Sequence, residues 1–141
     1  MKESYETLRR KMAQTMALNQ RSLGIQKFGS FILQTNKIQF YLSRLVILRS
    51  SYPDKEYVSK IESMTLGQVV NLFCACAQKE TGEFILIPKL RKHNKIRNKF
   101  VHKVLIDFMP NDEDLKNAIE LGNEIITSLI YIFNAELINR K

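Results

Sequence analysis

Apolar residues recur at three- and four-residue intervals through most of this 141-residue chain, and no segment alternates convincingly with period two. That spacing lines one side of a helix, whereas a half-buried strand needs every second residue apolar. The chain therefore reads as all-α, with four or five helices packed as a bundle and residues 1–141 forming a single domain. A chain of this length is large enough to bury one hydrophobic core. No internal repeat and no low-complexity segment interrupts it.

Taken in order, Ser4 to about Arg21 predicts a first helix, with Tyr5, Leu8, Met12 and Met16 at helical intervals. Gly24 and Gly29 blur the pattern. From about Ile25 to Ser50 a second helix follows, ended by Ser50-Ser51-Tyr52-Pro53-Asp54. Nearly every side of it carries an apolar residue, which suits either the centre of a bundle or a helix shared between a core and a partner subunit. Asp54 to Ser63 is polar and reads as a short helix or an ordered connection. Thr65-Leu66-Gly67-Gln68 fits a capping box, with Met64 and Val69 placed for a hydrophobic staple, and opens a helix largely buried over Val69 to Ala77. After a polar break, Phe84-Ile85-Leu86-Ile87 has strand-like composition, but Pro88 suits a helix start, so the spacing predicts a helix from near Ile87 to about Val104. The last helix follows Pro110, with Asn111-Asp112-Glu113-Asp114 as an acidic start suited to the positive end of the helix dipole. Leu115, Ile119, Ile126, Leu129, Ile130, Phe133 and Leu137 continue it, and Arg140 and Lys141 suit its negative end.

A formal net charge of +8 suggests an anionic partner or surface, although charge alone does not separate nucleic acid from membrane headgroups. Cys74 and Cys76 point to nearly opposite sides of their helix and read as reduced core residues. With His93 and His102 they form no zinc-ligand pattern, so no metal and no cofactor is expected. The first residues, Met1 to Ala17, carry both signs of charge and no continuous apolar core, and no stretch approaches the ~20 apolar residues of a membrane span. The expected compartment is the cytoplasm.

The densest chemistry lies between Arg91 and Lys103, where six of thirteen residues are Lys or Arg. On a helix, Leu90, Ile96, Phe100, Val101 and Val104 share an apolar arc with Arg97 in its middle. Asn98 and His102, four apart, stack along one edge, and Lys92, Lys95, Lys99 and Lys103 occupy the solvent side. A guanidinium in an apolar arc needs a partner, because an unpaired buried charge is costly and arginine does not readily deprotonate. Two readings stay open: a carboxylate such as Glu62, Glu124 or Asp107 inside the fold, or a phosphate at a cleft. His102 likewise reads either as a surface histidine at the end of its helix or as a proton-transfer group.

Arg97-Asn98-Lys99-Phe100-Val101-His102 resembles the Arg-(Asn, Asp or His)-three residues-His signature of the HEPN superfamily, small all-α proteins of toxin–antitoxin, abortive-infection and CRISPR-associated systems. The likeness in detail covers about Met64 to Lys103, and the helix plan extends it along the chain. It implies an HEPN-like domain acting as a metal-independent endoribonuclease, dimeric, with two motifs at a shared cleft. His102 would then be the general base or acid, Arg97 would hold the scissile phosphate, and Asn98 would orient either. Lys92, Lys95, Lys99 and Lys103 would draw in the RNA backbone without reading its sequence. Such systems also imply an antitoxin or other protein partner. Some HEPN toxins carry a tyrosine two residues after the histidine; here that position is Val104, so a tyrosine-modifying antitoxin is not implied. A noncatalytic helical module that binds nucleic acid, a nucleotide or a partner protein is the alternative, since some members of the superfamily lack nuclease activity.

Overall fold

A computed structural model describes residues 4–51, 53–79, 82–106 and 108–139, the side chains of residues 19–22 excepted. Tyr52, Asp107, Arg140 and Lys141, each given a role above, lie outside the described residues. Among the described residues every regular element is a helix: α1 Tyr5–Leu48, α2 Lys55–Glu62, α3 Leu66–Cys76, α4 Glu83–Leu105 and α5 Asp112–Asn139. No helix among them is long and apolar enough to cross a membrane.

Side-chain caps hold the starts of α1, α2, α3 and α5. Ser4 Oγ accepts from the backbone N–H of Thr7, Asp54 Oδ1 from Tyr57, and Asn111 Oδ1 from Asp114. Thr65 and Gln68 form both halves of their capping box. Asp54 to Ser63 resolves into α2, which buries Ile61.

Two boundaries differ from expectation. The predicted first and second helices are one helix of 44 residues, ~66 Å long at 1.5 Å per residue. Gly24 and Gly29 remain within it, because each costs a helix only about 1 kcal/mol relative to alanine and neither adopts a positive φ. At Gly24 the missing side chain has a use: a Cβ there would come within 3.2 Å of Met109 Cγ. α4 in turn begins at Glu83 rather than near Ile87, and Pro88 lies inside it. Proline there forfeits one backbone hydrogen bond. The earlier start is held by Gly82, at φ 75°, and by Glu83, whose carboxylate is buried against Arg49.

The bundle consists of α3, α4, α5 and the C-terminal half of α1. Lys27 pairs with Asp112 where α5 begins, and Arg49 contacts Glu136 near its end, so α1 and α5 run parallel. α4 runs the other way: His93 meets Thr35, while Phe100 meets Phe31. Ile38, Leu42, Leu45, Val69, Phe73, Leu90, Ile125 and Leu129 form the main core; Phe31, Phe100, Leu115 and Ala118 form a smaller one at the end where α4 finishes. The buried side of α5 is Leu115, Ala118, Gly122, Ile125 and Leu129, rotated from the expected stripe, and Leu137 is exposed. The small residues explain the rotation, since they let α1 approach. The Gln34 side chain lies over Gly122, where a Cβ would be 1.9 Å from Gln34 Oε1, and donates from Nε2 to Ile119 O and Asn123 Oδ1.

Candidate functional site

The site predicted from sequence lies on the second half of α4. Buried residues of that helix follow a three-four repeat through Glu83, Leu86, Leu90, His93 and Phe100, and Arg97 occupies the intervening position of the same stripe. Arg97 is nevertheless only half-buried, because this end of the bundle is less covered than its middle. Its Nη1 donates to Asn98 Oδ1 at 3.1 Å. Of the three carboxylates considered for it, Glu62 lies 3.9 Å from Arg44 and Glu124 lies 3.3 Å from Lys89, and Asp107 falls outside the described residues. Among the described residues no carboxylate pairs with Arg97.

Asn98 and His102 are exposed one turn apart, and no side chain among the described residues hydrogen-bonds the His102 ring. Asn98 therefore braces the arginine, and nothing in the described chain orients the histidine. The lysines divide. Lys92 and Lys99 line a shallow cleft of about 250 Å³ with Ile96, Phe100 and the α5 residues Asp114, Asn117, Ala118 and Leu121. Lys95 is exposed and Lys103 half-buried. Helical geometry sets Lys95, Lys99 and Lys103 within one turn or two of His102, so the open side of the motif carries positive charge.

Two polar centres were not legible in sequence. One is His93, fully buried against the Phe31 ring at 5.1 Å between centroids. Thr35 Oγ1 donates its single proton to Phe31 O, so at the 3.0 Å contact with His93 Nε2 the hydroxyl accepts and the imidazole donates. Nδ1 is then the bare nitrogen, and it has no partner. Burial lowers the His93 pKa to about 4. An unfolded chain binds a proton at this histidine in the window below about pH 6.5 where the folded one does not, so this group's stabilisation is complete above that pH and is lost as pH falls towards 4. Denaturant titration is expected to show about 2–3 kcal/mol less stability at about pH 4.5 than at about pH 7.5 from this group. His93→Met should remove that share of the acid sensitivity; an unchanged difference between the two pH values would contradict the assignment.

The other is Arg49, whose guanidinium reaches Glu83 at 2.6 and 2.8 Å, Glu136 at 3.3 Å and the Cys76 carbonyl at 3.2 Å. Hydrogen bonding to Glu83 is the largest influence on Arg49 and raises its pKa further. Burial pushes the nearby Cys76 thiol up as well. This cluster ties together the ends of α1, α3, α4 and α5, away from the Arg97 end. Cys74 and Cys76 are both free and half-buried, with Cys74 Sγ accepting from Arg91 at 3.5 Å. No group of three or more His, Cys, Asp or Glu side chains among the described residues is placed to hold a metal ion.

What the motif can do chemically follows from these placements. Arg97 offers a fixed planar donor set at the edge of the core, and a solvent-accessible imidazole lies beyond it on a basic helix. Compared with protein-family models, curated proteins and solved structures, the chain matches none.

Proposed function

We propose that the chain is a metal-independent endoribonuclease of HEPN type, working as a homodimer on an RNA phosphodiester. The observation that carries this reading is Arg97: a guanidinium in the register of the buried stripe, braced by Asn98 and paired with no described carboxylate. A phosphate is the ligand such a donor set fits. In the reaction, the RNA 2′-oxygen attacks phosphorus, its proton passes to an imidazole, and the 5′-oxygen leaves with a proton from a second acid. One chain's motif holds a single histidine, so His102 of a second copy is the natural source of the other proton transfer. Arg97 stabilises charge as it develops on the phosphoryl oxygens, and the lysines supply the salt-sensitive attraction.

Purified protein incubated with RNA in EDTA is expected to cleave it, leaving 2′,3′-cyclic phosphate ends. A wild-type protein inert towards RNA would defeat the proposal. The unoriented His102 ring favours one rival, a noncatalytic module that binds nucleic acid, a nucleotide or a protein. That rival shows salt-sensitive binding without turnover, lost on Lys95→Glu or Lys99→Glu and indifferent to His102→Ala.

A further inference from the structure

The N-terminal half of α1 leaves the bundle. Every residue from Ser4 to Leu18 is exposed, and Tyr5, Leu8, Met12, Met16 and Leu23 lie along one side of this arm at 79, 47, 65, 61 and 54% exposure. A helix with solvent on all sides is only marginally stable at this length, and tertiary cover of an apolar side is its usual support. At the root of the arm, beside Gly24, the last residue of α4 and the connection after it add a second exposed group, Leu105, Ile106, Phe108 and Met109. Side chains of this kind bury on the order of 60–120 Å² apiece, so nine of them approach the ~800 Å² that each partner contributes to a standard interface.

We infer that the arm docks on a second copy of this chain, exchanged reciprocally across the end of the bundle that carries Arg97 and His102. Charge identifies the occupant. The described arm carries Arg9, Arg10 and Lys11 against Glu6, while the first turns of α5 carry an acidic excess in which Glu113 and Glu120, seven residues apart, share an exposed side. The arm cannot reach that side of its own molecule, because α1 and α5 are parallel and α5 begins only at Lys27, where the arm ends. An inverted copy can reach it, and the exchange closes as a two-fold pair in which the same surfaces are used twice. In that pair each arm passes the Leu105–Met109 connection of its partner, which begins one turn beyond His102, so the basic arm borders the motif. The inference deepens the dimeric reading above and rests only on its second copy, not on its chemistry.

Sedimentation equilibrium of the full chain tests it without RNA. The expected mass is twice 16.5 kDa, falling to the monomer for Met12→Glu/Met16→Glu, with the thermal unfolding of the bundle unchanged. Arg9→Glu/Arg10→Glu should weaken association at least about tenfold, and Glu113→Lys/Glu120→Lys in the same chain should restore it. Leu33→Glu, exposed but off the arm, should leave the dimer intact. A wild type monomeric up to about 100 μM, including one that binds anionic phospholipid vesicles instead, overturns the inference. So does a dimer indifferent to the arm substitutions. RNA cleavage is read separately, so an active monomer and an inert dimer are distinguishable failures.

Discussion

His102→Ala is expected to lower RNA cleavage by about 10²–10⁴-fold, the range typical of a lost proton-transfer group, while the thermal midpoint stays where it was. The two halves of this expectation have separate causes. His102 is exposed and no described side chain bonds its ring, so truncation removes little that holds the fold, and surface changes of this kind stay within about 0.5 kcal/mol. Under the proposed mechanism the same atoms carry the proton between the 2′-oxygen and solvent, so the loss falls on kcat. Arg97→Lys separates charge from geometry: it keeps the positive charge, loses the planar fork, and is expected to lose about 10²–10³-fold. Lys99→Ala, on the α5 side of the helix, should act mainly through KM and flatten the salt dependence by one phosphate contact. Single-turnover rates with a labelled RNA oligonucleotide separate these cases. Retained cleavage in His102→Ala would remove the histidine from the mechanism and with it the reading built on the motif.

The parts of this fold written in nearest-neighbour chemistry were legible in the sequence. Thr65 with Gln68 and Asn111 with Asp114 each need only a few adjacent residues, and the structure realises both starts. The parts that misled were decided by residues far away. Pro88 points locally to a helix start near Ile87, but α4 begins at Glu83, which Arg49, 34 positions earlier, neutralises. Gly24 blurs the helical pattern, but its bare surface accommodates Met109. The burial of His93 depends on Phe31 and Thr35, the latter 58 positions before it, and no neighbour in the chain marks it. The candidate site divides in the same way. The positions of Arg97, Asn98 and His102 on one helix followed from their spacing, whereas the brace from Asn98 to Arg97 and the absence of a described carboxylate partner are properties of the packed bundle. The arm was least legible of all, since Tyr5, Leu8, Met12 and Met16 have the spacing of a core stripe and lie exposed along it.

The Arg49 cluster should dominate stability. Arg49→Met is expected to cost about 3–5 kcal/mol, because it leaves the Glu83 and Glu136 carboxylates, 2 and 12% exposed, without the cation between them. For a domain of this size that is a fall of about 10–20 °C in Tm and a large part of a typical total stability. Sequence alone does not flag this residue, which follows an apolar helix and precedes two serines. Its weight comes from position: one guanidinium, 7% exposed, donates to acceptors on α4, α5 and the end of α3 while belonging to the end of α1. The measurement that isolates the pair is a double-mutant cycle with Glu83→Leu, itself expected to be strongly destabilising because it removes the acceptor for the Gln78 backbone N–H as well as the ion pair. Arg49→Met/Glu83→Leu should lose less than the sum of the single changes, since replacing both charges by apolar groups of similar size removes the stranded carboxylate that makes each single change costly. Additive losses would mean that the two side chains do not share one electrostatic unit, and the early start of α4 at Glu83 would then need another cause. His102 lies at the opposite end of α4, so cleavage per folded molecule should be unchanged in these variants at temperatures well below their Tm.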